Sequence, residues 1–190
     1  MSRRRYLFDP PERFVAGTVG RPGDRTFFLQ ARDGPRVVSI VLEKVQVAVL
    51  ADRLHELLSE LERRGEAAAA AVAVGATATA EDTAPLDEPL NEAFRAGSLT
   101  LGWDGDHERV LVEARAQSEE GEEIDPDEDD DEDEDGPDLL RVRMTADAAR
   151  SFVARAARIV ASGRPPCPLC GAPLDPQGHI CPRRNGHYVN

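Results

Sequence analysis

The chain has 190 residues, 41% of them hydrophobic, and a formal net charge of −13. This length is typical of one domain, or of one domain built from two halves with a small appendage. No stretch reaches 18 consecutive apolar residues, so we expect no membrane insertion. No apolar segment follows the basic start MSRRRYLFDPPERF, so we expect no signal peptide. We therefore predict a soluble, cytoplasmic protein.

The negative charge is concentrated in one acidic run. Residues 119–135 hold 14 acidic side chains and no basic one. The whole chain has 36 acidic side chains, so 22 remain outside the run against 23 Lys and Arg. The rest of the protein is therefore nearly neutral. We predict that residues 119–137 form a disordered insertion, which a fold tolerates because loop-closure entropy grows slowly with length.

The first half, residues 1–65, is predicted to fold as three strands and a helix. β-Branched and aromatic residues dominate three short runs, which are separated by turn signals containing Gly, Pro and Asp. Apolar residues then recur at spacings of three and four over residues 45–64, and Gly65 is a plausible helix stop. The predicted strands are residues 14–20, 26–31 and 37–42.

The second half, residues 90–163, repeats this order of elements. Its predicted strands are residues 94–102, 109–115 and 139–144. Thr145 is predicted to cap a second helix, whose apolar face includes Phe152 and which ends near Ser162. Between the halves, the Ala- and Thr-rich residues 66–89 are interpreted as a flexible linker.

The predicted fold class is therefore α+β: an antiparallel sheet, or two such sheets, covered by two helices. The halves begin alike, with FVAG at residues 14–17 and FRAG at residues 94–97. This similarity favours a βββα-βββα pseudo-repeat, although short matches also arise by chance, so an ordinary α+β domain stays open.

The tail, residues 164–190, contains all three cysteines of the chain and resembles a zinc ribbon. Cys167-Pro-Leu-Cys170-Gly has the spacing of a zinc knuckle, in which two thiolates converge on one ion across a tight turn. His179 and Cys181, two residues apart on an extended segment, are predicted to complete the site because they face the same way. His187 is the reserve for the fourth position.

Other interpretations of the tail fit less well. A Cys167–Cys170 disulfide would suggest a redox motif, but Cys181 would then have no cysteine to pair with. The segment also lacks the strand-to-helix transition at which such redox motifs occur. Three reduced thiols without metal are the remaining alternative. Four protein ligands leave no open position for water, so the predicted zinc is structural.

Two functions follow as hypotheses. Because the sequence shows no catalytic motif or paired-carboxylate spacing, the first is a non-enzymatic zinc protein that acts through protein or nucleic-acid contacts. Its nucleic-acid contacts would involve a basic edge formed by Arg164, Arg183 and Arg184. The alternative is an enzyme or small-molecule sensor with a pocket on the sheet. The polar residues proposed for that pocket are Arg25, Gln30, Glu43 and Gln46.

Three segments resemble one family. FDPPERFVAGTVGRPGDRTFFLQA, VLEKVQVAVLADRL and CPLCGAPLDPQGHICPRRNG look like an uncharacterised family of actinobacterial proteins, a domain of unknown function. The resemblance implies no activity, but it suggests a functional link to a histidine-phosphatase-like phosphomutase or a lipid-kinase-like protein. The linker and the acidic run depart from the family pattern, which argues against either being its shared functional element.

Overall fold

The computed structural model describes residues 3–21, 23–65, 82–117, 136–162, 167–170 and 181. Within these residues the chain forms seven strands and two helices. The strands are β1 (Arg5–Phe8), β2 (Arg13–Arg21), β3 (Asp24–Asp33), β4 (Arg36–Leu42), β5 (Glu92–Asp104), β6 (Arg109–Ala116) and β7 (Leu139–Met144). The helices are α1 (Lys44–Arg64) and α2 (Ala146–Ala161).

All seven strands lie in one sheet with the order β1-β7-β6-β5-β4-β3-β2. The prediction of an antiparallel sheet is wrong in two places, because β4 pairs parallel with β5 and β1 pairs parallel with β7. Parallel neighbours need a long crossover, and α1 with the chain that follows it supplies one between β4 and β5. The sheet is therefore mixed, and the fold is α+β as predicted.

The predicted elements are present with small changes at their ends. Strands β2 to β7 and both helices are found where the sequence pattern placed them. Strand β1 was not predicted, because four residues are too few to show a periodic pattern. The order βββα occurs twice, in β2-β3-β4-α1 and β5-β6-β7-α2, but the common origin of the halves stays a prediction.

The helix ends follow the local sequence. Glu43 and Gln46 form a capping box at the start of α1, and Gly65 closes that helix in the left-handed conformation, with φ of 74°. The Thr145 hydroxyl accepts a 3.2 Å hydrogen bond from the Ala148 amide, as its predicted role as an N-cap requires. Neither described helix is long and apolar enough to cross a membrane.

Both helices pack on one face of the sheet and form a single core with it. Helix α2 reaches the edge strand β2, where the Phe152 ring stacks on Phe14 with centroids 5.0 Å apart. Alternate strand residues point into this core, so their neighbours line the opposite face of the sheet. Those neighbours include Gly17, Gln30 and Ser39.

Residues 82–91, called the strap here, cover part of that opposite face. The strap precedes β5 and includes the last eight residues of the predicted linker. The Leu86 side chain lies so close to Gly17 that a Cβ at that glycine would come within 2.5 Å of it. The backbone of Asp87 pairs with the buried Gln30 amide through bonds of 2.8 and 3.0 Å. These contacts fix the strap over β2 and β3.

The remaining predicted segments fall outside the described residues. They are residues 66–81 of the linker, 119–135 of the acidic insertion and most of the tail.

Candidate metal centre

The three cysteines of the tail come together in the folded chain. The Sγ atoms of Cys167, Cys170 and Cys181 all lie within 4.8 Å of one another. Cys167 and Cys181 are buried, and their sulfurs are 3.9 Å apart. Two thiolates bound at 2.3 Å to one tetrahedral zinc would be about 3.8 Å apart. The spacing of these sulfurs therefore fits a shared metal ion.

A local turn prepares Cys167 to act as a ligand. The backbone N–H groups of Leu169 and then Cys170 donate hydrogen bonds to the Cys167 sulfur. These bonds outweigh the effect of burial and lower the pKa of the Cys167 thiol to about 6. Because thiolate, not thiol, binds metal, the turn stabilises the form of the side chain that coordinates. The turn is compatible with the predicted zinc knuckle, whose metal-binding role stays a prediction.

The chemistry of the donor set restricts the metal. All three cysteines are free thiols, so the disulfide alternative is not the state of this structure. Three sulfur donors select zinc or another thiophilic ion and disfavour magnesium or calcium, which prefer oxygen. The two histidines considered for the fourth position, His179 and His187, lie outside the described residues. The three thiolates alone would already hold most of a tetrahedral coordination shell.

The four polar residues of the predicted pocket have separate structural roles. Gln30 is buried beneath the strap. Glu43 and Gln46 cap α1, and Gln46 also donates to the carbonyl oxygens of β5. Arg25 donates to the carbonyl and hydroxyl oxygens of Ser162 at the end of α2. Each side chain is thus engaged by the fold.

One cavity lies at the outer edge of the sheet, between β2, the strap and α2. Its volume is about 320 Å³, and its lining includes Val19, Leu86 and Ile159 but none of the four predicted pocket residues. The arginines of the predicted basic edge, Arg164, Arg183 and Arg184, fall outside the described residues.

The sequence did not reveal a buried ionic network that anchors the strap. Arg155 of α2 is 7% exposed and donates to Asp82 and to the carbonyl oxygens of Ala16 and Ala84. Arg13 donates to both Asp82 and Asp87, each at 2.7 Å. One feature of the sequence indicates this network: Arg155 lies beside Ala156 on the otherwise apolar face of α2. A charged residue in such a position is rarely buried without a partner.

The comparisons with known proteins give a family and no activity. Neither a curated protein nor a solved structure matches the chain. One family does match, over residues 6–181, a range that runs from β1 through the sheet, the strap and both helices to the third cysteine of the metal centre. The match covers most of the chain, so the protein belongs to the family described as "Protein of unknown function (DUF3090)".

Proposed function

We propose that this chain is a zinc-binding protein whose tail carries one structural zinc ion and that it acts by binding another protein rather than by catalysis. The observation that carries the zinc proposal is the convergence of three free cysteine sulfurs within 4.8 Å. The proposed ligands are Cys167, Cys170, His179 and Cys181, with His187 in reserve for the fourth place.

A structural role follows from the proposed ligand set. Three thiolates and one imidazole saturate a tetrahedral zinc and leave no position for a reactive water. Cys167 and Cys181, two of the four proposed ligands, are buried in the structure. Because the tail is short and has little apolar surface, the ion would supply much of the free energy that folds it.

Charge favours a protein partner over nucleic acid. The chain carries a net charge of −13, and 14 of its carboxylates are consecutive or nearly so. A dense row of carboxylates repels a phosphate backbone, whereas binding to nucleic acid depends on releasing counter-ions with Lys and Arg. The resemblance drawn from the sequence adds two candidate partners, a phosphomutase-like and a lipid-kinase-like protein. The protein is proposed to act in the cytoplasm.

The ligand set can be tested with cobalt, whose absorption bands report coordination. Wild-type chain reconstituted with Co²⁺ should show the bands of tetrahedral sulfur-rich coordination, at one ion per chain. His179→Ala should shift these bands and weaken metal affinity by about 10-fold or more, because one protein ligand is lost. His187→Ala is the matched control and should leave both unchanged; the reverse result would make His187 the fourth ligand.

The binding role needs its own test. Each candidate partner is mixed with the wild-type chain and with Cys167→Ser, and association is measured by calorimetry. Binding that requires the intact tail supports the proposal. Tight, salt-dependent binding to duplex DNA or RNA by the wild-type chain, with no protein partner bound, would contradict it.

A further inference from the structure

Strand β2 is one of the two edges of the sheet in the described part of the chain, and it is the longer one. It has nine residues and pairs only with β3 among the described strands, whereas β1 at the other edge has four residues. Edge strands present unpaired N–H and C=O groups to which another extended chain can bind, and a short edge strand limits this. The outer side of β2 therefore needs either cover or a partner.

An arginine of α2 covers the first half of this edge. The Ala16 carbonyl accepts a 2.7 Å hydrogen bond from the Arg155 side chain, so the backbone of Ala16 faces outward, away from β3. Because the N–H and C=O groups of alternate residues in a strand point to the same side, the backbone of Thr18 also faces outward. Within the described residues, no loop or helix backbone forms a hydrogen bond with Thr18. The edge is thus covered at Ala16 and open at Thr18.

The open part of this edge lines the cavity of about 320 Å³ at the rim of the sheet, called the edge groove here. Thr18 and Val19 of β2 form one wall, the strap forms another, and Ile159 of α2 lies on the third side. Val19 is 50% exposed, so apolar surface is left uncovered beside the open backbone. Leu86 and Leu90 of the strap add to that surface. Peptides that extend a sheet bind in such places, where a free strand edge adjoins pockets for alternate side chains.

The lining of the edge groove also contains a carboxylate. Glu88 of the strap is exposed and forms no ion pair with any described residue. Asp82 and Asp87 of the same strap differ from it, since both pair with Arg13. The whole chain also carries a net charge of −13. Complementary charge therefore favours an occupant that places a basic side chain beside Glu88.

We propose that the edge groove binds an extended segment of a partner protein as an added strand beside β2. The backbone of that segment pairs with Thr18, an apolar side chain packs against Val19, and a basic side chain faces Glu88. Because Arg155 covers the edge on one side, few residues can pair, and the binding is weak and reversible. This inference rests on the protein-binding role proposed above and adds a contact on the sheet to that of the tail.

Capped peptides of about seven residues, an ordinary strand length, test the added strand directly. The probe alternates Val and Thr around one central Lys, and its binding to the intact chain is measured by fluorescence anisotropy. The peptide nitrogens are then methylated one at a time, which removes one N–H in each peptide. We expect every second methylation to weaken binding about 5-fold or more, because only alternate amides face β2. Binding that no methylation affects, or no binding at about 1 mM peptide, would overturn the proposal.

Substitutions in the chain locate the binding site. Thr18→Pro removes an outward N–H without removing a bond to β3, and it should weaken binding of the probe about 5-fold or more. Wild type should prefer the probe with central Lys over one with central Gln by about 2- to 5-fold. Glu88→Gln should abolish this preference, whereas Glu56→Gln, at an exposed pair on α1, should keep it. A preference that persists in Glu88→Gln would contradict the assigned site.

Two further results separate the edge groove from its alternatives. The free chain should sediment as a monomer; a dimer that Thr18→Pro dissociates would make a second copy the occupant and overturn the proposal. The probe should bind Cys167→Ser as it binds wild type, since no cysteine lines the groove. Partner binding that needs the tail, with no probe binding, would overturn the groove and leave the proposed function standing. Probe binding without any tail-dependent partner would support the groove and contradict the proposed role of the tail.

Discussion

Asp82 joins three parts of the molecule through one carboxylate. It accepts from Arg13 of β2 at 2.7 Å and from Arg155 of α2 at 2.9 Å, while lying on the strap itself. The two guanidinium groups that meet there repel each other, and their shared carboxylate offsets that repulsion. The Arg13 hydrogen bond holds the pKa of Asp82 below its usual value, and the nearby Arg155 charge acts in the same direction.

This lowered pKa gives the stability a defined dependence on pH. The pKa of this carboxyl is lower in the folded chain than in the unfolded chain, where it is about 3.9. Its contribution to stability is therefore complete above pH 3.9 or so and is lost as the pH falls through the folded-state pKa. Asp82→Asn should reduce the free energy of unfolding by about 2 kcal/mol near neutral pH. Urea unfolding should show the difference from wild type shrinking below pH 3.9 or so. Glu56→Gln, at an exposed pair, is the control; a difference constant across this range would contradict the assignment.

Among the elements, the strap depends on a glycine to reach the sheet. Leu86 occupies the space above Gly17 in which any other residue would place its Cβ. This close approach lets a short, proline-containing segment cover the strand before the chain enters β5. The same contact accounts for the glycine at position 17 of β2, where any other residue would overlap Leu86.

Gly17→Ala should therefore lower the free energy of unfolding by about 1 to 3 kcal/mol, because the new methyl group overlaps Leu86. Leu86→Ala in the same chain should recover part of that loss by making room for it, which thermal or urea unfolding of the double variant would show. Gly102→Ala in β5 is the matched control, since its Cβ would meet only the Leu111 side chain at 3.8 Å. Additive losses in the Gly17 and Leu86 variants would rule out this contact.

At the scale of the whole molecule, local patterns in the sequence predicted elements but not their partners. Six strands and both helices follow from short-range periodicity, and Thr145 and Gly65 act as the predicted helix ends. The parallel pairings of β1 and β4 depend on contacts between distant residues that no local pattern encodes. The ion pair between Arg155 and Asp82 also spans 73 positions.

The metal centre was more accessible to prediction than the strap. The spacing of its cysteines can be recognised in the sequence, because a zinc knuckle is formed within four residues and the third cysteine follows 11 positions later. The ligand role of His179 stays a prediction. The pocket residues were chosen as polar side chains on or near strands, and the structure shows that such residues can equally cap a helix or hold the strap.

X-ray absorption at the zinc edge of the full-length chain, purified without added metal, tests the central claim most directly. We predict one zinc ion per chain with three sulfur neighbours at about 2.3 Å and one nitrogen at about 2.0 Å. A chain that holds no metal and keeps three titratable thiols, or a zinc ion with oxygen neighbours and fewer than three sulfurs, would contradict it.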